Sequence, residues 1–208
     1  MNFIKKLFER NSESSKAIKT VILGKQEWMV KNMAVTVDRD GDELVLGKDY
    51  WYPNGDESQV EQYGLLYSWE AAMRIAPKGW HLPADAEWAQ LEEYVGSQPQ
   101  YRCGDSERNI AKALASTLGW GWTYGSAPET VGYNPSENNA TGFSAVPAGC
   151  YNSGLCKYGR FGINAYFWSA KGDAAGQALS WNLHFEYPDL SSLYFGKDYG
   201  FSVRCLRD

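Results

Sequence analysis

Few side chains in this sequence can do covalent or metal chemistry: there are two histidines and four cysteines in 208 residues. His81 follows Trp80 and has Asp85 and Glu87 close behind it, a spacing that allows a histidine–carboxylate pair. The same residues also read as a strand-to-helix corner, with Trp80 and Trp88 in the core and His81 hydrogen-bonded, and that reading carries more weight. His184 lies far along the chain, so a two-histidine metal site needs a long-range meeting. Cys103, Cys150, Cys156 and Cys205 contain no C-x-x-C pair, so their spacing indicates no structural zinc. Cys150 and Cys156 flank Tyr-Asn-Ser-Gly-Leu. They either close a small disulfide in an oxidising compartment or stay two loop thiols. Asp38, Asp40 and Asp42 alternate as in a calcium loop, but Glu43 stands where an EF-hand needs Gly and helical flanks are lacking. No G-x-S-x-G elbow is present, and the glycines are scattered among aromatic residues rather than gathered into a phosphate loop. The chemistry-bearing residues therefore indicate no cofactor, no metal and no catalytic centre.

What the chain has in excess is ring and glycine: nine Trp, fourteen Tyr and twenty-one Gly. That mixture suits a loop-rich fold pinned by large side chains, and the rings are also the types that make binding surfaces. A net charge of −5 argues against a general nucleic-acid binder, which needs a basic face for phosphates. No apolar run approaches bilayer length, so no transmembrane segment is expected. At the N-terminus Phe3, Ile4, Leu7 and Phe8 would share one face of a short helix. This leader either packs locally or serves as a docking or self-associating helix, and Asn11 to Ser15 read as a linker. A secretory signal needs a longer apolar stretch and a small-residue cleavage site. Synthesis without export is one expectation, and a mature surface protein with its signal removed is the other. Residues 1–18 read as leader and linker, and 19–208 as a single domain.

Within that domain, 20–23 and 26–30 read as short strands around Gly24-Lys25. Residues 34–37 and 43–46 read as a hairpin closed by Asp38-Arg-Asp-Gly-Asp42. Leu66, Trp69 and Met73 predict a helix over 65–75, and Trp88, Leu91 and Val95 predict one over 84–95, ended by Gly96. A weaker helix is expected over 107–118. Beyond it helical period is lost. Over 178–185, Trp181, Leu183 and Phe185 alternate with Asn182 and His184, and Phe201, Val203 and Cys205 repeat the pattern. The layout is α+β: two or three helices, a twisted and mostly antiparallel sheet, and a loop-rich C-terminal half. Trp28, Trp69, Trp80, Trp88, Trp168 and Trp181 are the expected core.

Several ordered segments are similar to the Fibrobacter succinogenes major paralogous domain, a bacterial family abundant in Bacteroidetes. They are Gly24-Lys-Gln-Glu-Trp-Met29, Tyr63-Gly-Leu-Leu-Tyr-Ser-Trp69, Pro77-Lys-Gly-Trp-His-Leu-Pro83 with Glu87-Trp88, Thr141-Gly-Phe-Ser-Ala-Val-Pro147, Tyr166-Phe-Trp-Ser169 and Gly200-Phe-Ser-Val-Arg-Cys-Leu-Arg-Asp208. The resemblance implies a C-type-lectin-like fold related to the formylglycine-generating, sulfatase-activating group, with Thr20–Leu23 placed near Phe201–Cys205. It also implies an exported or surface protein. Some similar domains are variable proteins of diversity-generating retroelements, which diversify a ligand-binding face. The sequence departs from the family at two places. Ala76 stands where a cysteine commonly precedes Pro-x-Gly-Trp-His, so Cys205 lacks the usual partner, which fits assembly in a reducing cytosol, as for a phage tail protein. Ala84 stands where a Ser or Thr often caps the helix with Glu87, which removes half of a capping box. The surroundings of Cys150 and Cys156 do not match the sulfatase-activating site, and the Glu-Pro-Asn and Gln-Pro-Asp signatures of calcium-dependent lectins are missing.

The stretch from Trp181 to Tyr199 carries the expected binding face: Asn182, His184, Glu186, Tyr187, Asp189, Ser191, Ser192, Tyr194 and Lys197. Asn164, Tyr166, Tyr151 and Asn152 extend it from neighbouring loops. Such residues combine rigid area with adaptable hydrogen bonding, and several are reachable by changing adenines in Asn codons. The expected function is non-catalytic recognition of a cell-surface protein or glycan, as an adhesin or a phage or prophage receptor-binding protein. The rivals are a cysteine-dependent oxidase related to the formylglycine-generating group and a structural surface or virion component.

Overall fold

The computed structural model describes residues 18–121, 127–155 and 157–208; the N-terminal leader and Cys156 lie outside them. Strands β1 (Thr20–Leu23) and β2 (Gln26–Met29) form the expected hairpin. Its turn needs Gly24, which has φ +64° and sits with the Tyr94 ring 3.0 Å from where a Cβ would be. β3 (Tyr50–Trp51) pairs with β4 (Leu66–Tyr67). β5 (Trp80–His81) and the terminal β11 (Leu206–Arg207) complete a sheet of order β1-β2-β11-β5. The last strand therefore lies beside β2, Leu206 opposite Trp28, and not beside β1 as the resemblance implied. The reason is burial: Trp28 and Met29 are inside, whereas β1 leaves Ile22 70% exposed and forms the edge.

Two expected elements shrink. The hairpin over 34–46 is reduced to one bridge, Val37 to Glu43. The Asp38 carboxylate accepts the Asp40 and Asp42 amides at 3.0 Å and pairs with Arg74 at 3.0 Å, so it closes its own turn. The helix expected over 65–75 is divided. Leu66 and Tyr67 are strand, because the Tyr67 backbone exchanges hydrogen bonds with Phe201. Ser68 then caps a single turn of helix, accepting from the Ala71 amide.

Four helices occur among the described residues: α1 (Val60–Tyr63), α2 (Trp69–Ala72), α3 (Asp85–Ser97) and α4 (Ala111–Leu114). α3 is the long one and buries Trp88, Leu91 and Val95 as expected. It runs through Gly96, where a Cβ would lie 2.4 Å from the Glu107 carbonyl oxygen; this glycine serves close packing rather than termination. Glu87 reaches back to the Ala84 amide at 2.7 Å, the surviving half of the capping box. α4 is all that forms of the helix expected over 107–118.

The C-terminal half holds a hairpin of β6 (Cys150–Asn152) and β7 (Lys157–Gly159). Beside it is an antiparallel sheet of β8 (Asn164–Gly172), β9 (Gln177–His184) and β10 (Ser191–Gly196), with β9 in the centre. Trp181 and Leu183 are buried, but so are Ser180 and Asn182, so the alternation did not mark an outer face. On the other side of the sheet, Tyr166 and Trp168 of β8 pack with Phe201 in a second apolar cluster. Phe201 to Cys205 are likewise all buried, joined to neighbours by isolated bridges rather than as a strand. Trp28, Trp88 and Trp181 share one core cluster and Trp80 and Trp168 a second, while Trp69 is only partly buried. The fold is α+β with small antiparallel sheets, and no described helix is long and apolar enough to cross a membrane.

Candidate ligand-binding face

Strand register decides which expected residues meet. Asn164 lies opposite His184, and Tyr166, Asn182 and Ser191 form a row across β8, β9 and β10. Ser192 and Tyr194 are opposite Trp181 and Leu179 and so belong to the other face. Consistently, the Tyr194 hydroxyl interacts with Lys171, whose ammonium is 2.9 Å from Asp85 at the start of α3. The expected set is therefore split between two sides of one sheet.

Several members hold the fold rather than face a ligand. Asn182 is 4% exposed, and its amide donates to the Ser191 carbonyl at 3.1 Å. Asn152 accepts the Leu155 amide at 3.1 Å. Lys197 donates to the Asp173 carbonyl at 2.9 Å and sits over the Trp69 ring at 4.4 Å. Asp189 pairs with Arg108 at 3.2 Å. Asp198 accepts from Ser153 at 2.6 Å, tying the β6–β7 loop to the end of β10. Asn164 is buried, and its Oδ1 has no hydrogen-bond partner among the described residues.

What remains are rings on β6–β7, on β8 and at the turn after β9. His184 and Tyr187 lie 4.6 Å apart at the turn after β9, where Glu186 and Tyr187 are exposed. His184 Nδ1 accepts the Glu186 amide at 3.1 Å, which leaves the proton on Nε2. Burial lowers the His184 pKa, against the pull of Glu186, so the ring is a neutral donor at neutral pH. Tyr166 stacks on Phe201 at 4.8 Å and meets Phe195 edge-on. Burial and the neighbouring Cys150 push its hydroxyl up to about 12, so it too is a neutral donor. Tyr151 stacks on Trp51 at 4.5 Å, and Tyr158 meets it edge-on at 5.2 Å. The Arg160 carbonyl accepts the Asn164 amide at 2.9 Å, and Asn164 lies opposite His184, so Arg160 stands at the end of β8 beside that turn. Arg160 has φ +62° at the turn into β8, is exposed, and has no ion-pair partner among the described residues.

Sequence reasoning missed Arg160 and Tyr158. The signal that could have found them is Lys157-Tyr-Gly-Arg160, a short polar strand running into the turn before β8. The other candidates resolve structurally. His81 is held by Asp208 at 2.8 Å and Glu87 at 3.0 Å, the hydrogen-bonded corner expected. Burial raises the Cys150 pKa, Arg160 offsets this in part, and the thiol lies 3.6 Å from the Gly159 carbonyl. Its possible disulfide partner Cys156 is outside the described residues. Cys205 is a free, buried thiol pushed up to about 12, and Ala76 sits in the same apolar cluster. No group of three or more His, Cys, Asp or Glu side chains placed to hold a metal occurs among the described residues.

The Fibrobacter succinogenes major domain matches residues 21–207. The chain belongs to that family. No curated protein and no solved structure matches it.

Proposed function

We propose that the chain is a non-catalytic recognition domain with a C-type-lectin-like fold, reading a cell-surface protein or glycan as an adhesin or a phage-type receptor-binding protein. The observation that carries this is the convergence of β6–β7, β8 and the β9–β10 turn on one patch. There Arg160 follows β7 and its carbonyl accepts the Asn164 amide, Asn164 lies opposite His184, Tyr158 of β7 meets Tyr151 edge-on, and Tyr187 packs against His184. Arg and Tyr dominate the energetics of protein contacts, and rigid rings also suit the apolar faces of sugars. Neutral donors at Tyr166 and His184 supply hydrogen bonds without a charge to desolvate. The oxidase alternative requires a reactive thiolate, and the raised pKa of Cys150 disfavours one.

The retroelement form of this reading is tested by deep sequencing the 3′ end of the gene across its source population. It expects substitutions at Glu186 and Tyr187, the exposed members of the patch in that stretch. It expects none at Ser180, Trp181, Asn182 and Leu183, which are buried. An invariant stretch removes diversification and leaves recognition of a fixed ligand. Substitutions concentrated in the four buried positions would contradict the assignment of the face.

A further inference from the structure

Outside that patch, a cleft of about 940 Å³ opens beside the first described residues, between the segment after β2 and the one leading into β5. Its floor is apolar and buried: Met29, Met33, Ile75, Ala76 and Trp80. Two methionines there give a surface that adapts to a flexible chain. Its rim carries Lys19, Lys31 and Lys78, all exposed, and none has an ion-pair partner among the described residues. The other rim charges are mostly satisfied. Arg39 donates to the Met73 and Arg74 carbonyls, Asp38 is bound by Arg74, and Asp208 by His81. Asp40 is the one rim aspartate with no ion-pair partner among the described residues, against three such lysines. A chain of net charge −5 thus gathers uncompensated positive charge around its apolar cleft.

Apolar walls with a few convergent charges define a ligand with an apolar body and an opposite charge at one end, and the volume suits a small molecule. We propose that this cleft binds a free amphiphilic anion, an aliphatic carboxylate of the fatty-acid type. The chain lies along Met29, Met33 and Ile75, and the headgroup sits among Lys19, Lys31 and Lys78. The N-terminal leader is a poorer occupant: Lys5, Lys6, Arg10 and Lys16 outnumber Glu9 and Glu13, the same sign as the rim.

The test is calorimetric titration of the full chain with dodecanoate below its micellar concentration. Dodecyltrimethylammonium and anionic phospholipid vesicles are run in parallel. The proposal expects one dodecanoate per chain, bound about tenfold or more tighter than the cation of equal chain length. Lys31→Glu with Lys78→Glu should remove that preference, while Lys48→Glu, away from the cleft, should leave it. Ala34→Trp, at an exposed lining position, should block binding without disturbing the core. Equal affinity for both headgroups, indifference to the lysine reversal, binding to vesicles alone, or no binding by the full chain would each overturn it.

Discussion

Replacing Arg204 should be among the most damaging single changes outside the candidate patch. Its side chain is fully buried, and no carboxylate lies within ion-pair distance of it among the described residues. The guanidinium instead donates to Asn32 Oδ1 at 2.7 Å, to the Ser144 carbonyl at 3.2 Å and to the Phe143 carbonyl. It lies 4.5 Å from the Phe143 ring and 5.2 Å from that of Phe167. Burial pulls its pKa down to about 9, so it stays charged at neutral pH. One residue thereby joins the C-terminal segment to the segment after β2 and to the loop at 143–144. Arg204→Met would leave three acceptors unpaired, at ~1–3 kcal/mol each, or ~6 kcal/mol in the middle of that range. Removing a buried charge returns several kcal/mol of desolvation, taken as ~3 kcal/mol. The net loss is then ~3 kcal/mol, a fall in thermal midpoint of roughly 6–12 °C for a chain of this size. Arg204→Lys should cost at least as much, because it keeps the charge buried while one ammonium cannot span Asn32 and both carbonyls. Scanning calorimetry of the three proteins measures this. A methionine variant within ~2 °C of the wild type would refute the reasoning, as would a lysine variant clearly more stable than the methionine one.

Two further outcomes follow from other contacts of the fold. Burial lowers the His81 pKa, but its hydrogen bonds to the Asp208 and Glu87 carboxylates and their charges more than offset this, and the net shift is upward from 6.5. A raised folded-state pKa stabilises fully below the unfolded value and is lost as pH rises through the folded one. Thermal midpoints of wild type and His81→Gln should therefore differ most below about pH 6 and converge in alkali; parallel curves would sink the assignment. Ala76→Cys should oxidise with Cys205, since both lie in one apolar cluster. The bridge would close a loop of 129 residues (205 minus 76), worth up to ~5 kcal/mol by chain entropy and less if the geometry strains. Thiol titration with and without reductant reads it, and two free thiols after oxidation would show the positions misaligned.

How much of this was legible depends on how local the determinant is. The β1–β2 hairpin and α3 were legible because a turn glycine and a helical stripe are local signals. The 65–75 segment was not, because Leu66 and Tyr67 fit a helical stripe as well as a strand. Only the long-range pairing of Tyr67 with Phe201 decides between them. Alternation at Asn182 misled for a related reason: β9 is central, and the sequence does not announce a second layer on its far side. Of the residues in the proposed face, composition named His184, Tyr187, Tyr166 and Tyr151. Arg160 and Tyr158 were missed because they join that face only through the packing of the β6–β7 hairpin. Lys197 and Asp189 have polar character suited to a surface but spend it on Trp69, Asp173 and Arg108. Sequence shows a residue's capacity to bind, whereas the fold shows whether that capacity is already used.

The central claim is tested most directly by a binding screen that presupposes no particular ligand. The labelled chain and an Arg160→Ala, His184→Ala, Tyr187→Ala variant are applied to glycan and surface-protein arrays, with thermal midpoints measured alongside. The account predicts a defined set of ligands bound by the wild type and lost in the variant, with the two midpoints nearly equal, since Arg160 and Tyr187 are exposed and His184 is half-buried. Ligands bound equally by both proteins, or no ligand bound by the wild type, would contradict it.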